Sequence, residues 1–208
     1  VDKMLLSLKN ISKKYRREWI FKNISCDFLL GNIYGLSGYN GSGKSTLLKI
    51  ISGQLIPSKG EVQIIKQEGE LQKENFFREF NYIAPYVDLI EEYTIQELIQ
   101  FLIKTGIISK DYNLNSFLNY TELKNTDDKF IKDFSSGMKQ KLKLGIGLLS
   151  KRPILILDEP TTNLDQRAKE WFYQKLNEQK EKLILIASNE KSDLANCSTI
   201  LSIEDYKN

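Results

Sequence analysis

The segment Gly38-Tyr39-Asn40-Gly41-Ser42-Gly43-Lys44-Ser45-Thr46 constrains the fold more than any other part of this sequence. It fits the pattern G-x-x-x-x-G-K-[S/T]. A short apolar run, Ile33–Ser37, reads as a strand before it. Behind it, Lys44–Ser52 has helical apolar spacing and stops at Gly53. Few architectures accept a strand that breaks into glycines and re-enters at once as a helix. Glycines let successive backbone N–H groups converge on an anion, and the helix N-terminus adds a favourable dipole. The loop therefore predicts polyphosphate binding. Lys44 supplies a point charge for the β- and γ-phosphates, and the Ser45 hydroxyl is placed to ligate Mg²⁺.

The rest of the chain alternates short apolar runs with longer helical patterns. Met4–Leu8, Ile20–Leu30, Glu61–Lys66 and Phe80–Ala84 read as strands. Ile95–Lys104 reads as an amphipathic helix, with Thr94 as N-cap and Glu97 three residues on. Residues 85–133 carry helical patterns and no good strand, which predicts an inserted helical subdomain within a single 1–208 domain. Helices are expected at Ser136–Ser150 and Gln166–Gln179. Ile154–Leu157 reads as a parallel strand buried on both faces, Leu183–Ala187 as a further strand and Thr199–Ile203 as a closing strand. The expected class is α/β, with an N-terminal antiparallel β portion.

At 208 residues, 41% hydrophobic and 27% charged, the chain can build a substantial core. Its formal charge of +3 implies no polyanionic partner. No apolar run is long enough to span a bilayer, and no h-region predicts a secretory signal. Cys26 and Cys197 lack C-x-x-C spacing and read as free thiols. There is no histidine, so every His-dependent step is excluded and no His-type inflection is expected between about pH 6 and 7.

A second chemical feature is the run Ile154-Leu155-Ile156-Leu157-Asp158-Glu159, an apolar strand that ends in two acids. Taken alone, it fits either a solvated acidic turn before Pro160 or a catalytic pair. Beside a phosphate loop the second reading prevails. Asp158 at the strand's carboxyl end holds Mg²⁺ through water, and Glu159 polarises an attacking water. In an open α/β sheet, ligands bind outside the carboxyl ends of the strands.

Two further segments carry a family resemblance. Phe134-Ser135-Ser136-Gly137-Met138-Lys139-Gln140 resembles the LSGGQ motif of ABC ATPases, and Pro160-Thr161-Thr162-Asn163-Leu164-Asp165 resembles their D-loop. The order also matches: phosphate loop 38–46 (Walker A), helical lobe, LSGGQ-like motif, strand-end acids Asp158 and Glu159 (Walker B), D-loop. The resemblance implies a P-loop NTPase core of the ABC type that binds ATP and Mg²⁺. It implies that Ser135, Ser136, Gly137 and Asp165 contact the nucleotide bound by a partner subunit, so that a homodimer or pseudo-dimer sandwiches two ATP molecules. Ser135 also stands where a plain helix N-cap belongs. Tyr15 resembles the aromatic that stacks on adenine, although among Lys13, Lys14, Arg16 and Arg17 it also fits a solvated loop aromatic.

Two positions depart from the family pattern. Pro85 falls where a glutamine is usual, and Asn189 where a histidine is expected. Proline offers no side-chain ligand. Asparagine can donate an N–H to phosphate but cannot titrate. The expected activity is ATP hydrolysis at a slow basal rate, driving a separate integral-membrane permease from the cytoplasmic face of the membrane. The compact size is similar to that of haem-exporter and ABC-2-type exporter subunits. The alternative, a soluble ABC ATPase acting on ribosomes or DNA, usually brings two ATPase units or long coiled coils, neither of which is seen; no nucleic-acid partner is expected. A P-loop GTPase is disfavoured because Asn189-Glu190-Lys191-Ser192-Asp193 lacks the Asn-Lys-x-Asp spacing.

Overall fold

The structure is a computed structural model and describes residues 4–124, 126 and 128–207. In chain order the elements are β1 (Leu5–Tyr15), β2 (Glu18–Leu29), β3 (Ile33–Ser37), α1 (Lys44–Ile51), β4 (Lys59–Lys66), β5 (Gly69–Glu70), β6 (Phe80–Ile83), α2 (Ile95–Lys104), α3 (Leu114–Thr121), α4 (Ser136–Leu149), β7 (Ile154–Asp158), α5 (Gln166–Asn177), β8 (Leu183–Ala187), α6 (Lys191–Leu194) and β9 (Thr199–Ser202). They form two compact units. The first comprises residues 1–82, 153–159 and 180–208, and the second residues 83–152 and 160–179.

Two sheets build the first unit. One is antiparallel, ordered β2-β1-β4-β5. The other is ordered β6-β7-β8-β3-β9, and its β7, β8, β3 and β9 run parallel. Every residue of β7 and β8 is buried, as the continuous apolar runs require. Leu47, Leu48 and Ile51 of α1 share one core with Leu36, Ile156 and Leu185. This places the loop after β3 and the acids after β7 at the same, carboxyl end of one parallel sheet.

β1 and β2 run longer than their apolar runs suggest. The polar residues between Lys9 and Tyr15 stay in the ladder through register shifts, with Asn10 at φ 53°. Such bulges keep a strand paired while they spoil the period-2 pattern from which a strand is read. β9 lies at the sheet edge beside β3.

The second unit is helical. α2 is closed by a full capping box, with the Thr94 hydroxyl accepting from Glu97 N and the Glu97 carboxylate accepting from Thr94 N. Asn113 and Ser116 make the same arrangement at α3. Ile95, Leu98, Phe117, Ile131, Leu142 and Ile146 are among the residues of its own core. The unit contains the helices of the 85–133 segment together with α4 and α5; of that segment, residues 125 and 127 lie outside the described residues.

Candidate nucleotide site

The loop after β3 reaches α1 through Gly43, the helix N-cap, in the left-handed region at φ 113° and with no side-chain cap. A Cβ on Gly43 would lie 2.5 Å from Ile20 Cγ2, so glycine is required here both by conformation and by the close approach of β2. Gly38 is comparably constrained: its Cβ would meet Ser42 Oγ at 2.6 Å. The Ser42 hydroxyl is buried and has no hydrogen-bond partner among the described residues.

Lys44 is 6% exposed, and its ammonium is held within the loop. It donates to Gly38 O at 2.7 Å, to Asn189 Oδ1 at 2.8 Å and more weakly to Tyr39 O at 3.4 Å. Glu159 Oε1 is 3.8 Å away. The amide of Asn189 is thus committed at both ends, because its Nδ2 donates to Asn40 Oδ1. An incoming phosphate that took the Lys44 ammonium would release Asn189 Oδ1 in the same step.

Asp158 closes β7 fully buried, and Tyr82 on β6 donates its hydroxyl to Asp158 Oδ2 at 3.3 Å. Glu159 turns out of the strand at φ 49°. Burial raises its carboxyl above the usual range, and the Lys44 ammonium opposes that shift. Ser188, also buried, lies 3.3 Å from Glu159 Oε2 and 2.7 Å from Asp193 Oδ2. Ser45 and Asp158 offer a hydroxyl and a carboxylate, the hard oxygen donors that suit Mg²⁺ when substrate phosphates complete its shell. Sequence reasoning missed Tyr82, Ser188 and Asp193. Tyr82 was legible only as an alternating residue of a strand, and Ser188 only as the neighbour of Asn189.

Tyr15 is 49% exposed at the end of β1, with Lys13 Nζ 5.2 Å from its ring centroid. That ammonium must move for a base to stack on the same face. Tyr39 is likewise exposed. Its N–H donates to Glu204 Oε1, and Lys207 lies over its ring.

In the second unit, Ser135 caps α4 by accepting from Met138 N at 3.2 Å. Asp165 caps α5 by accepting from Ala168 N at 2.8 Å. A Cβ on Gly137 would stand 2.9 Å from Asn163 O, and Gln140 Nε2 donates to Pro160 O at 2.6 Å. α4 and the 160–165 loop are therefore tied together. They line an open concavity of about 610 Å³ with Ser135, Ser136, Gly137, Asp165 and Arg167 on its wall. Pro85 is exposed and offers only its carbonyl, 3.4 Å from Lys143 Nζ. Both cysteines are free, and burial pushes the thiols of Cys26 and Cys197 up to about 12 and about 11, far from reactive thiolates.

Comparison with known proteins agrees with this arrangement. The family model described as ABC transporter matches residues 21–162. The ABC transporter ATP-binding protein YybJ of Bacillus subtilis is 31% identical over 193 residues, covering 91% of this chain and 88% of that protein. The lantibiotic transport ATP-binding protein SrtF of Streptococcus pyogenes is 31% identical over 161 residues, covering 77% and 69%. Among solved structures, one titled as the ATP-binding subunit of an ABC transporter superposes with a TM-score of 0.82. It is 29% identical and covers 95% of this chain and 85% of that one.

Proposed function

This chain belongs to the ABC transporter family as an ATP-binding, ATP-hydrolysing domain, and we propose that it works as a nucleotide-driven dimer that moves a separate membrane permease. One observation carries the reading. Lys44, Glu159 and Asn189 converge at the carboxyl end of one parallel sheet, with the Lys44 ammonium touching groups that it must leave to meet a phosphate.

In this reading the backbone of residues 38–46 and Lys44 bind the triphosphate, and Tyr15 stacks on adenine. Ser45 and Asp158 hold Mg²⁺, which neutralises phosphate charge when bound. Glu159 accepts the proton of the attacking water, and its raised affinity for a proton suits that task. Asn189, no longer fixed through Oδ1 to Lys44, turns its Nδ2 donor to the terminal phosphate. Ser135, Ser136, Gly137 and Asp165 meet the nucleotide of the second copy. The Ser135 oxygen accepts the helix N–H and its own O–H remains able to donate to phosphate, so cap and clamp are compatible. Among the described residues no helix is long and apolar enough to cross a membrane. SrtF, by its name, serves lantibiotic transport; an exported cargo is the corresponding proposal for this chain.

Glu159→Gln tests the reading, because it keeps size and hydrogen bonding but removes the base. With Mg·ATP the variant is expected to sediment as a dimer without turnover, and Ser135→Arg added to it is expected to restore the monomer. A Glu159→Gln dimer unaffected by Ser135→Arg contradicts the second-unit half of the site.

A further inference from the structure

Between residues 9 and 22 lie six cations, Lys9, Lys13, Lys14, Arg16, Arg17 and Lys22, against the single acid Glu18. This local excess of five is larger than the +3 of the whole chain. Over the whole β1–β2 hairpin, Asp27 included, the excess is still four.

The hairpin organises part of that charge around one ring. Lys14 Nζ lies 5.4 Å from the Trp19 ring centroid, and Lys22 and Lys59 each lie 5.8 Å from it. Each ammonium gains from the π-face, but three like charges at one indole repel one another. Among the described residues, no ion pair joins Lys14, Lys22 or Lys59 to a carboxylate.

The register makes Lys14 and Trp19 a directly paired couple, and paired residues share a face. Lys14 and Lys59 are exposed, and Trp19 and Lys22 are half-buried, so the cluster reaches solvent.

We propose that the Trp19 face of the β1–β2 hairpin is a docking surface for an anionic phospholipid headgroup layer. An amphipathic indole ringed by long-stemmed ammoniums matches the water–lipid boundary, where the ring rests at headgroup depth and the cations meet phosphates. The cations surround a single ring on an open sheet face; a nucleic-acid track calls for cations strung along a groove with several stacking rings. The proposal does not depend on how the nucleotide site works.

The test is sedimentation of the full chain with vesicles of phosphatidylglycerol and phosphatidylcholine, and with vesicles of phosphatidylcholine alone. Binding is expected only to the first, with a blue shift in Trp19 emission and with release as salt rises. Lys14→Glu, Lys22→Glu and Lys59→Glu together are expected to weaken binding on the order of 100-fold or more, while calorimetric ATP affinity stays at the wild-type value. Should the triple variant lose ATP affinity through misfolding, each single Lys→Gln variant is read instead, with about a five-fold loss expected. Trp19→Phe is expected to sediment but to lose the shift. Undiminished binding by the charge-altered variants overturns the proposal, as does failure of the wild type to bind anionic vesicles. A single-stranded oligonucleotide that displaces the vesicles and itself shifts Trp19 emission also overturns it, in favour of a nucleic-acid surface.

Discussion

The helices of the two units begin in opposite ways. α1 starts at a left-handed glycine with no side chain to seal it, whereas α2, α3, α4 and α5 are each closed by a side-chain oxygen, from Thr94, Asn113, Ser135 and Asp165. A side-chain cap is worth about 1 kcal/mol to a helix, and α1 forgoes it. Under the proposed function the first N–H groups of α1 meet the phosphate, which then supplies the stabilisation that a cap would give. In the second unit the helix starts stabilise the fold themselves. At Ser135 the hydroxyl can accept and donate together, so that cap keeps a capacity for phosphate.

Two substitutions press on this contrast. The larger effect is expected in the first unit. Asn189→Ala removes the group that bridges Lys44 and Asn40. Loss of a positioned donor near developing charge costs up to a few kcal/mol in the barrier. About a ten-fold fall in turnover under saturating Mg·ATP is expected. Turnover equal to wild type reduces Asn189 to ordinary strand-end structure. The smaller effect belongs to the second unit. Thr94→Ala opens the α2 capping box and is expected to lower stability by about 1 kcal/mol in a denaturant titration, with no change in ATP affinity. If affinity changes as well, the cap is not merely structural.

The first unit was more legible in the sequence than the second. Gly38, Gly43 and Lys44 stand at fixed spacings because the loop's backbone demands them, and Ile154–Asp158 announces itself by burial on both faces. The Thr94–Glu97 signature likewise located α2. α3 was not resolved as a separate helix, although Asn113 and Ser116 are a start signal that could have found it. What stayed hidden depends on contacts distant in sequence. Tyr82 meets Asp158 across 76 positions, and Lys44 meets Asn189 across 145. No local pattern encodes such pairs. The length of β1 was hidden for a different reason, since its bulges keep hydrogen bonds while breaking alternation.

The central claim is that Lys44 leaves its loop partners to hold a nucleotide phosphate. Calorimetric titration of folded Lys44→Ala with Mg·ATP tests it most directly, because no hydrolysis step, second copy or permease enters the measurement. The predicted result is no detectable binding at physiological ATP concentration, with the circular dichroism spectrum and unfolding transition of the wild type retained. Wild-type affinity in the folded variant would contradict the assignment of the nucleotide to this loop.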